Sequence, residues 1–313
     1  MMIIYPNSLF LFGMIIPPHL REGDRVAIVS TARKITTDEL KPAFDLLKEW
    51  GFIAVPGRTI GVEDNQFAGD DSLRAADLQQ MLDDPEIKAI WCARGGYGTV
   101  RIIDQLDFTE FLRHPKWIVG YSDITVLHAH LNQRSVASLH AQMPLEIEKR
   151  SPETALSIRK ALLGQLPAVN FQPNSPYGRK GTTNGILLGG NLSVLYSLQG
   201  SQSAITTRGR ILFLEDLDEY LYHIDRMMQN LKRNGMLHDL AGLVVGGMSD
   251  MNDNSIPFGK TAEAIIWDYV KEFDYPVCFG FPAGHTYENR AMRFGAPATL
   301  EVGDEQASLL FSL

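Results

Sequence analysis

The 313-residue chain carries 45% hydrophobic and 21% charged residues, the balance of a soluble globular protein with one large or two ordinary domains. Lys and Arg number 29 against 37 Asp and Glu, a formal charge of −8, so no basic excess exists to pair with a phosphate backbone and nucleic acid is not an expected partner. Cys92 and Cys278, the only cysteines, both fall inside apolar runs, as reduced core thiols of a reducing compartment do. The apolar stretch 1–17 has no Lys or Arg ahead of it, no small-residue cleavage site, and breaks at Pro6, Asn7 and Gly13. It reads as neither signal peptide nor membrane span, and no membrane association is expected. Met14 is an alternative start, with residues 1–13 as an upstream extension of the reading frame.

From Arg25 the pattern alternates between strand and helix. Arg25-Val26-Ala27-Ile28-Val29 is a buried-strand run, and Thr36 with Glu39 forms a capping box ahead of Leu40, Phe44 and Leu47 at helical spacing. Pro42 falls inside this helix and signals a later start or a kink. Gly51 ends it, and Phe52–Val55 reads as the next strand. Leu73, Leu78, Met81 and Leu82 line a second helix, and Ile87–Ala93 forms a strand ending in Arg94-Gly95-Gly96-Tyr97-Gly98. Trp117–Val119, the turn Gly120-Tyr121-Ser122-Asp123 and the helix Ile124–Leu131 make another unit. Repeated β-α order implies a parallel sheet covered on both faces.

Ser151-Pro152-Glu153 opens a helix to about Leu163. Residues 165–184 contain Pro167, Pro173, Pro176, Gly178 and Gly181 with little periodicity, and read as a linker or crossover. Beyond it, strands at Ile186–Leu188, Arg210–Leu214, Leu243–Val245 and Val277–Phe279 alternate with helices near Leu192, at Ile224–Leu231 and at Ala262–Phe273. The expected organisation is α/β: a doubly wound parallel-sheet domain of amidotransferase or flavodoxin-like type over 14–165, a linker over 166–184, and a second, smaller α/β domain over 185–313.

Three segments at strand ends carry the chemistry: Ser122 after Trp117–Val119, Glu215 after Ile211–Leu214, and His285 after Val277–Gly280. A serine needs an imidazole to lose its proton at neutral pH, and the imidazole needs a carboxylate to fix its tautomer, which points to a Ser122, His285, Glu215 triad. Standing alone, a serine between strand and helix is more often an N-cap. Here it lies beyond the carboxyl end of a strand in an open α/β sheet, where ligands collect and a helix N-terminus favours developing negative charge. The turn is not Gly-x-Ser-x-Gly, since Ile124 replaces the second glycine. The Gly95–Gly98 turn lacks the phosphate-loop ending and the dinucleotide glycine spacing, so no nucleotide cofactor is expected. Its glycines let backbone N–H groups approach a substrate, and one such donor with the N–H of Asp123 would hold an oxyanion.

The rivals are weaker. His128 and His130 face different directions on one helix, His140 reads as a satisfied structural histidine, and Cys92 lies inside its strand. Asp216, Asp218 and Glu219 read as a solvated acidic loop, so no metal is expected. Arg94, Arg290 and Arg293 are alternative partners for a substrate carboxylate.

Phe67-Ala68-Gly69, Arg74-Ala75-Ala76-Asp77-Leu78, Ala89–Gly98, Gly120–Thr125, Leu188-Gly189-Gly190-Asn191-Leu192-Ser193 and Leu214-Glu215-Asp216 together resemble the LD-carboxypeptidase family of serine peptidases, which includes muramoyltetrapeptide carboxypeptidase. The resemblance runs from about Ile16 to Val302. It implies a nucleophile at Ser122 on the first domain, with Glu215 and His285 on the second. Gly95, Gly96, Asp123 and Asn191 are the implied oxyanion and substrate-binding residues. Leu139-His140-Ala141-Gln142-Met143 stands where the family carries His-Gly-Pro-Met. The implied activity is hydrolysis of the bond before a terminal D-alanine in a cytoplasmic muropeptide during cell-wall recycling. The alternatives are a self-immunity hydrolase of the microcin C type with the same triad, and a non-catalytic anion-binding module. A homodimer is compatible with the chain, which does not set its oligomeric state.

Overall fold

The computed structural model describes residues 9–11 and 13–311, so most of the segment read as an upstream extension lies outside the described residues. The first half runs β1 (Leu9–Leu11), β2 (Met14–Ile16), β3 (Arg25–Val29), α1 (Thr37–Glu49), β4 (Ile53–Pro56), α2 (Asp71–Asp83), β5 (Ile87–Cys92), α3 (Thr99–Ile102), α4 (Thr109–Arg113), β6 (Trp117–Gly120), α5 (Thr125–Gln133), β7 (Ser138–His140) and α6 (Pro152–Leu162). The second runs β8 (Val169–Phe171), β9 (Gly181–Asn191), α7 (Leu192–Ser197), β10 (Arg210–Leu217), α8 (Leu221–Arg233), β11 (Gly242–Ser249), α9 (Ala262–Val270), β12 (Val277–Phe279), β13 (Met292–Phe294), β14 (Ala296–Val302) and β15 (Ala307–Phe311).

Two sheets organise these elements. A six-stranded sheet has the order β13-β7-β6-β5-β3-β4, and a seven-stranded sheet the order β12-β11-β10-β9-β14-β15-β8. Strands β4, β3, β5, β6 and β7 are mutually parallel, as expected, and β13 joins β7 antiparallel. The second sheet is mixed: β12, β11, β10 and β9 are parallel, while β14, β15 and β8 add antiparallel. It has one strand more than the first sheet. Alternating apolar residues at the C-terminus made β14 and β15 a hairpin, which an α/β reading had no place for.

Two sequence boundaries shift. The stretch 166–184, read as a linker, contains β8 and the start of β9, because their backbone groups find partners in β15 and β14. Conversely, β13 returns from the C-terminal half to pair Met292 with His140 on the first sheet. In α1 the capping box of Thr36 and Glu39 forms and the helix starts at Thr37, so Pro42 is accommodated inside it while Leu40, Ala43 and Leu47 are buried.

The core is continuous between the halves. Ile118, Leu127 and Leu131 share one buried cluster with Leu188, Leu212 and Val245, and separate clusters cover the far face of each sheet. At the seam, Asn191 N donates to Thr125 Oγ1 at 3.0 Å. A Cβ on Gly190 would stand 2.4 Å from that oxygen, which is why the β9 end is glycine where it meets α5.

Candidate active site

The chain leaves β6 at Gly120, whose extra Cβ would lie 2.8 Å from Ile124, and turns through Tyr121 into a short 3₁₀ turn, Ser122–Ile124, before α5. Ser122 is held at a φ of 62°, the left-handed region, at a cost on the order of 1–2 kcal/mol for a residue with a side chain. It stays partly exposed while its neighbours Tyr121 and Asp123 are buried. Such strain on a strand-to-helix turn lifts a side chain off the sheet edge.

Beside it lies the Gly95–Gly98 turn. A Cβ on Gly95 would stand 3.3 Å from Ser122 Oγ and 3.1 Å from Met143 Cε, so bare backbone passes next to the hydroxyl. Gly96 has a φ of 107° and lies under Arg33. The turn is fastened from below. Arg74, fully buried, donates from Nη1 to Thr31 O at 2.6 Å and Gly98 O at 3.0 Å. Thr99 N donates to Asp123 Oδ2 at 2.9 Å, tying the glycine turn to the Ser122 turn. Burial raises the Asp123 carboxyl above its ordinary range despite the hydrogen bonds of Thr99 and Gly98.

The second half supplies a hydrogen-bonded pair. Glu215 is not at a strand end, as expected, but inside β10, where the register against β11 shifts between Leu214 and Asp216. Such a bulge re-aims a side chain. Glu215 is fully buried and its Oε2 accepts from His285 Nδ1 at 2.7 Å and from His285 N at 3.3 Å. Donation from Nδ1 leaves Nε2 as the lone-pair nitrogen, the tautomer a general base needs. Burial pulls the His285 pKa down, but the charge and hydrogen bond of Glu215 overcome it, and the net shift is upward from 6.5. Gly284 must be glycine, since a Cβ there would come within 2.8 Å of Glu215.

Long-range contacts fix the loop that carries His285. Ser249 Oγ donates to His285 O at 2.7 Å, and Gly284 N donates to Asn289 Oδ1 at 3.0 Å. Asn289 in turn donates from its backbone to Thr154 Oγ1 at 2.9 Å and from Nδ2 to Gln142 Oε1 at 3.3 Å. Ser151 N reaches Tyr287 O at 3.1 Å, and Arg150 Nη1 reaches Thr286 O at 2.9 Å. The loop is thus stitched to the N-terminus of α6 and to the segment after β7.

The two halves meet at Tyr121. Its ring lies 4.8 Å, centroid to centroid, from the His285 ring, so the residue preceding Ser122 packs on the imidazole that Glu215 holds. Gly95 and Asp123 flank Ser122, and Gly96 follows under Arg33. Asn191 does not join them: it is buried, its Oδ1 accepts from Val194 N at 3.1 Å to cap α7, and its Nδ2 donates to Asp216 at 2.9 Å. Asp216 is not part of a solvated loop either. It is buried on Asn191, Ser193 N and Leu217 N, and burial, with the charge of Glu215, pushes its carboxyl up to about 7.

The remaining histidines sort by their neighbours. His128 is occupied by Ser138 Oγ and Gly120 O, and His130 by Ser203 Oγ, so the two do face different ways. His140 is buried, as expected, but not satisfied: neither ring nitrogen has a hydrogen-bond partner, and Phe213, Phe294, Tyr121 and His128 surround it. Cys92 and Cys278 are free and buried, and burial drives both thiols up. Among the described residues no group of three or more His, Cys, Asp or Glu side chains could hold a metal ion.

Residues 26–141 match the LD-carboxypeptidase N-terminal domain and residues 184–300 its C-terminal domain. A probable murein peptide carboxypeptidase of Bacillus subtilis (strain 168) is 35% identical over 301 residues, 93% of each chain. The chain belongs to the LD-carboxypeptidase family. The crystal structure of a muramoyltetrapeptide carboxypeptidase from Oxalobacter formigenes superposes with a TM-score of 0.82 at 26% identity, covering 92% of this chain and 99% of that one. The microcin C7 self immunity protein MccF in complex with aspartyl sulfamoyl adenosine shares the fold, with a TM-score of 0.83 at 20% identity over 95% of this chain and 98% of that one. Within the LD-carboxypeptidase match, Ser122 falls in the N-terminal domain and Glu215 and His285 in the C-terminal domain.

Sequence reasoning missed Gln142, Arg150 and Asn289. Their work is to hold or neighbour the His285 loop, and the bonds that tie that loop to the first half, Arg150 to Thr286, Asn289 to Thr154 and Asn289 to Gln142, each span more than 130 residues of chain, which no local pattern reveals. Two carried a visible signal: Gln142, standing where the family's proline does, and Asn289, which follows Gly284-His285 as in the family.

Proposed function

We propose that this LD-carboxypeptidase family member is a serine peptidase that hydrolyses the L,D-amide bond before a terminal D-alanine in muropeptide tetrapeptides, in the cytoplasm, during peptidoglycan recycling. Its nucleophile is Ser122, its general base His285 and its orienting carboxylate Glu215, borne by a nucleophile domain over 14–165 and a partner domain over 185–313. The observation that carries the reading is the buried Glu215–His285 pair, donated through Nδ1 at 2.7 Å and packed against the residue before a strained, partly exposed serine.

In the mechanism, His285 Nε2 takes the proton of Ser122 as its oxygen attacks the amide carbonyl. Glu215 stabilises the imidazolium without taking its proton. Backbone N–H groups at Gly95 or Gly96 and at Asp123 receive the oxyanion, each such donor supplying about 2.7–4 kcal/mol of transition-state stabilisation. His285 then protonates the leaving amine, D-alanine departs, and a water activated by the same imidazole releases the acyl group from Ser122. Among the described residues no helix is long and apolar enough to cross a membrane.

The test is D-alanine release by the purified protein from a tetrapeptide whose third residue is a diamino acid linked through its L-centre. The expected result is stoichiometric D-alanine, with no release from the epimer ending in L-alanine. No release, with hydrolysis of an aminoacyl sulfamoyl adenylate instead, would overturn the muropeptide reading in favour of the self-immunity one.

A further inference from the structure

A carboxypeptidase must recognise a free carboxylate, and three arginines were open for that role. None is placed for it. Arg94 is anchored on Lys34 O at 2.9 Å, next to Arg33 on the side of the glycine turn, Arg290 pairs with Glu288, and Arg293 lies over Trp117 on the sheet face away from His140. Arg33, which covers Gly96, sits on the oxyanion side of the turn.

The chemistry proposed above says where the carboxylate must be. In the leaving D-alanine, the carboxyl carbon is one Cα away from the scissile nitrogen, about 2.5 Å distant by covalent geometry. His285 protonates that nitrogen. The cation that reads the carboxylate therefore belongs beside the His285 loop, not beside the glycine turn.

Arg150 is there. Its Nη1 donates to Thr286 O, one residue after His285, at 2.9 Å, and its charge is felt by both His285 and Tyr121. Its Nε is buried with no hydrogen-bond partner, and the side chain as a whole is only partly buried. An unpaired buried guanidinium donor is costly, and a carboxylate is the acceptor whose two oxygens match the fork. Glu146, the nearby acid, is occupied by Lys149 at 2.8 Å.

We infer that Arg150, anchored on Thr286 O, binds the C-terminal carboxylate of the substrate and so makes the enzyme a carboxypeptidase rather than an endopeptidase. The inference rests on the proposed acyl-transfer reading and adds the residue that sets exopeptidase specificity. The backbone anchor leaves the rest of the fork for the ligand. Thr286 O also ties the arginine to the loop of the base, so carboxylate and scissile nitrogen are positioned by one piece of chain.

The test compares kcat/KM for the D-alanine-terminated tetrapeptide with that for its C-terminal carboxamide, in the wild type, Arg150→Gln and Arg150→Lys. The wild type is expected to prefer the acid by about 10–100-fold, the range of a charge-assisted, bidentate contact. In Arg150→Gln the preference falls to near one, mostly through KM for the acid; loss of the Thr286 anchor lowers kcat for acid and amide by the same factor and so leaves their ratio as the readout. Arg150→Lys, which keeps the charge but loses the fork, retains part of the preference and serves alone if the glutamine variant does not fold. A merely structural arginine would slow both substrates alike, and an unchanged acid-to-amide ratio in a folded variant overturns the assignment. Failure of the wild type to release D-alanine or alaninamide overturns the acyl-transfer reading itself, and this inference with it.

Discussion

The Ser122 turn and the His285 loop, which meet through Tyr121, are held in place by opposite means. The first is local: strand β6, a glycine that makes room for Ile124, a left-handed serine and helix α5 follow one another within a few residues. The second is non-local, a loop between β12 and β13 held by Glu215, Ser249, Gln142, Ser151 and Thr154 from elsewhere in the chain. One geometry is stored in backbone conformation, the other in long-range hydrogen bonds. Damage to the first should therefore abolish chemistry and spare the fold, whereas damage to the second should weaken both.

The largest effect is expected at the proposed base. His285→Ala should lower kcat by about 10⁴–10⁶, the range for removing a member of a serine triad, with a folded protein by circular dichroism. A loss below tenfold would separate the His285 loop from the chemistry.

Glu215→Gln comes next, with kcat reduced by about 10³–10⁴ because the imidazole loses its partner and tautomer control. Its sign on pH is specific. His285 must be neutral to accept a proton, so activity rises with pH as it deprotonates. Glu215 and, more weakly, Asp216 raise its pKa, Arg150 lowers it, and the net places the acidic limb of kcat/KM above pH 6.5. Removing the Glu215 charge should move that limb to lower pH. A limb that stays in place would mean another group titrates.

Asn289→Ala cuts the side-chain stitch between Gly284 and Gln142, leaving buried polar groups unpaired, while the backbone bond to Thr154 remains. A stability loss of about 1–3 kcal/mol with a kcat loss on the order of tenfold is expected in denaturant titration and steady-state kinetics. Lost activity with unchanged stability would make this loop resemble the Ser122 turn.

The smallest effect concerns Cys92 and Cys278, one in each sheet and both fully buried. Cys92 lies in the apolar cluster that runs through both halves and Cys278 in the cluster on the far face of the second sheet; if the shared cluster makes the halves open as one unit, the two thiols should react with an alkylating agent at equal rates. Faster labelling of one would show that its half opens separately.

What was legible in the sequence follows the same division. Strands β3, β5 and β6 and the helices between them announce themselves through apolar runs, the Thr36–Glu39 capping box and glycine stops, all local signals. The placements of β8 and β13 were not legible, since each is a three-residue strand whose identity comes from its partner. In the site, Ser122, Glu215 and His285 stand at the ends of readable runs. The bulge that aims Glu215 and the neutral, unpartnered setting of His140 depend on neighbouring strands. Asn191 entered through the family resemblance as a substrate-binding residue, and its cap on α7 and its bond to Asp216 at the seam depend on neighbours that no local pattern names.

The most direct measurement is Ser122→Gly, followed by thermal unfolding and D-alanine release on the same preparation. At a φ of 62°, glycine relieves about 1–2 kcal/mol of strain against about 0.5–1 kcal/mol of added chain entropy. The expected result is a melting temperature at or above that of the wild type together with turnover reduced by at least about 10⁴. A variant that keeps turnover within tenfold, or unfolds well below the wild type, would contradict a serine held under strain for chemistry.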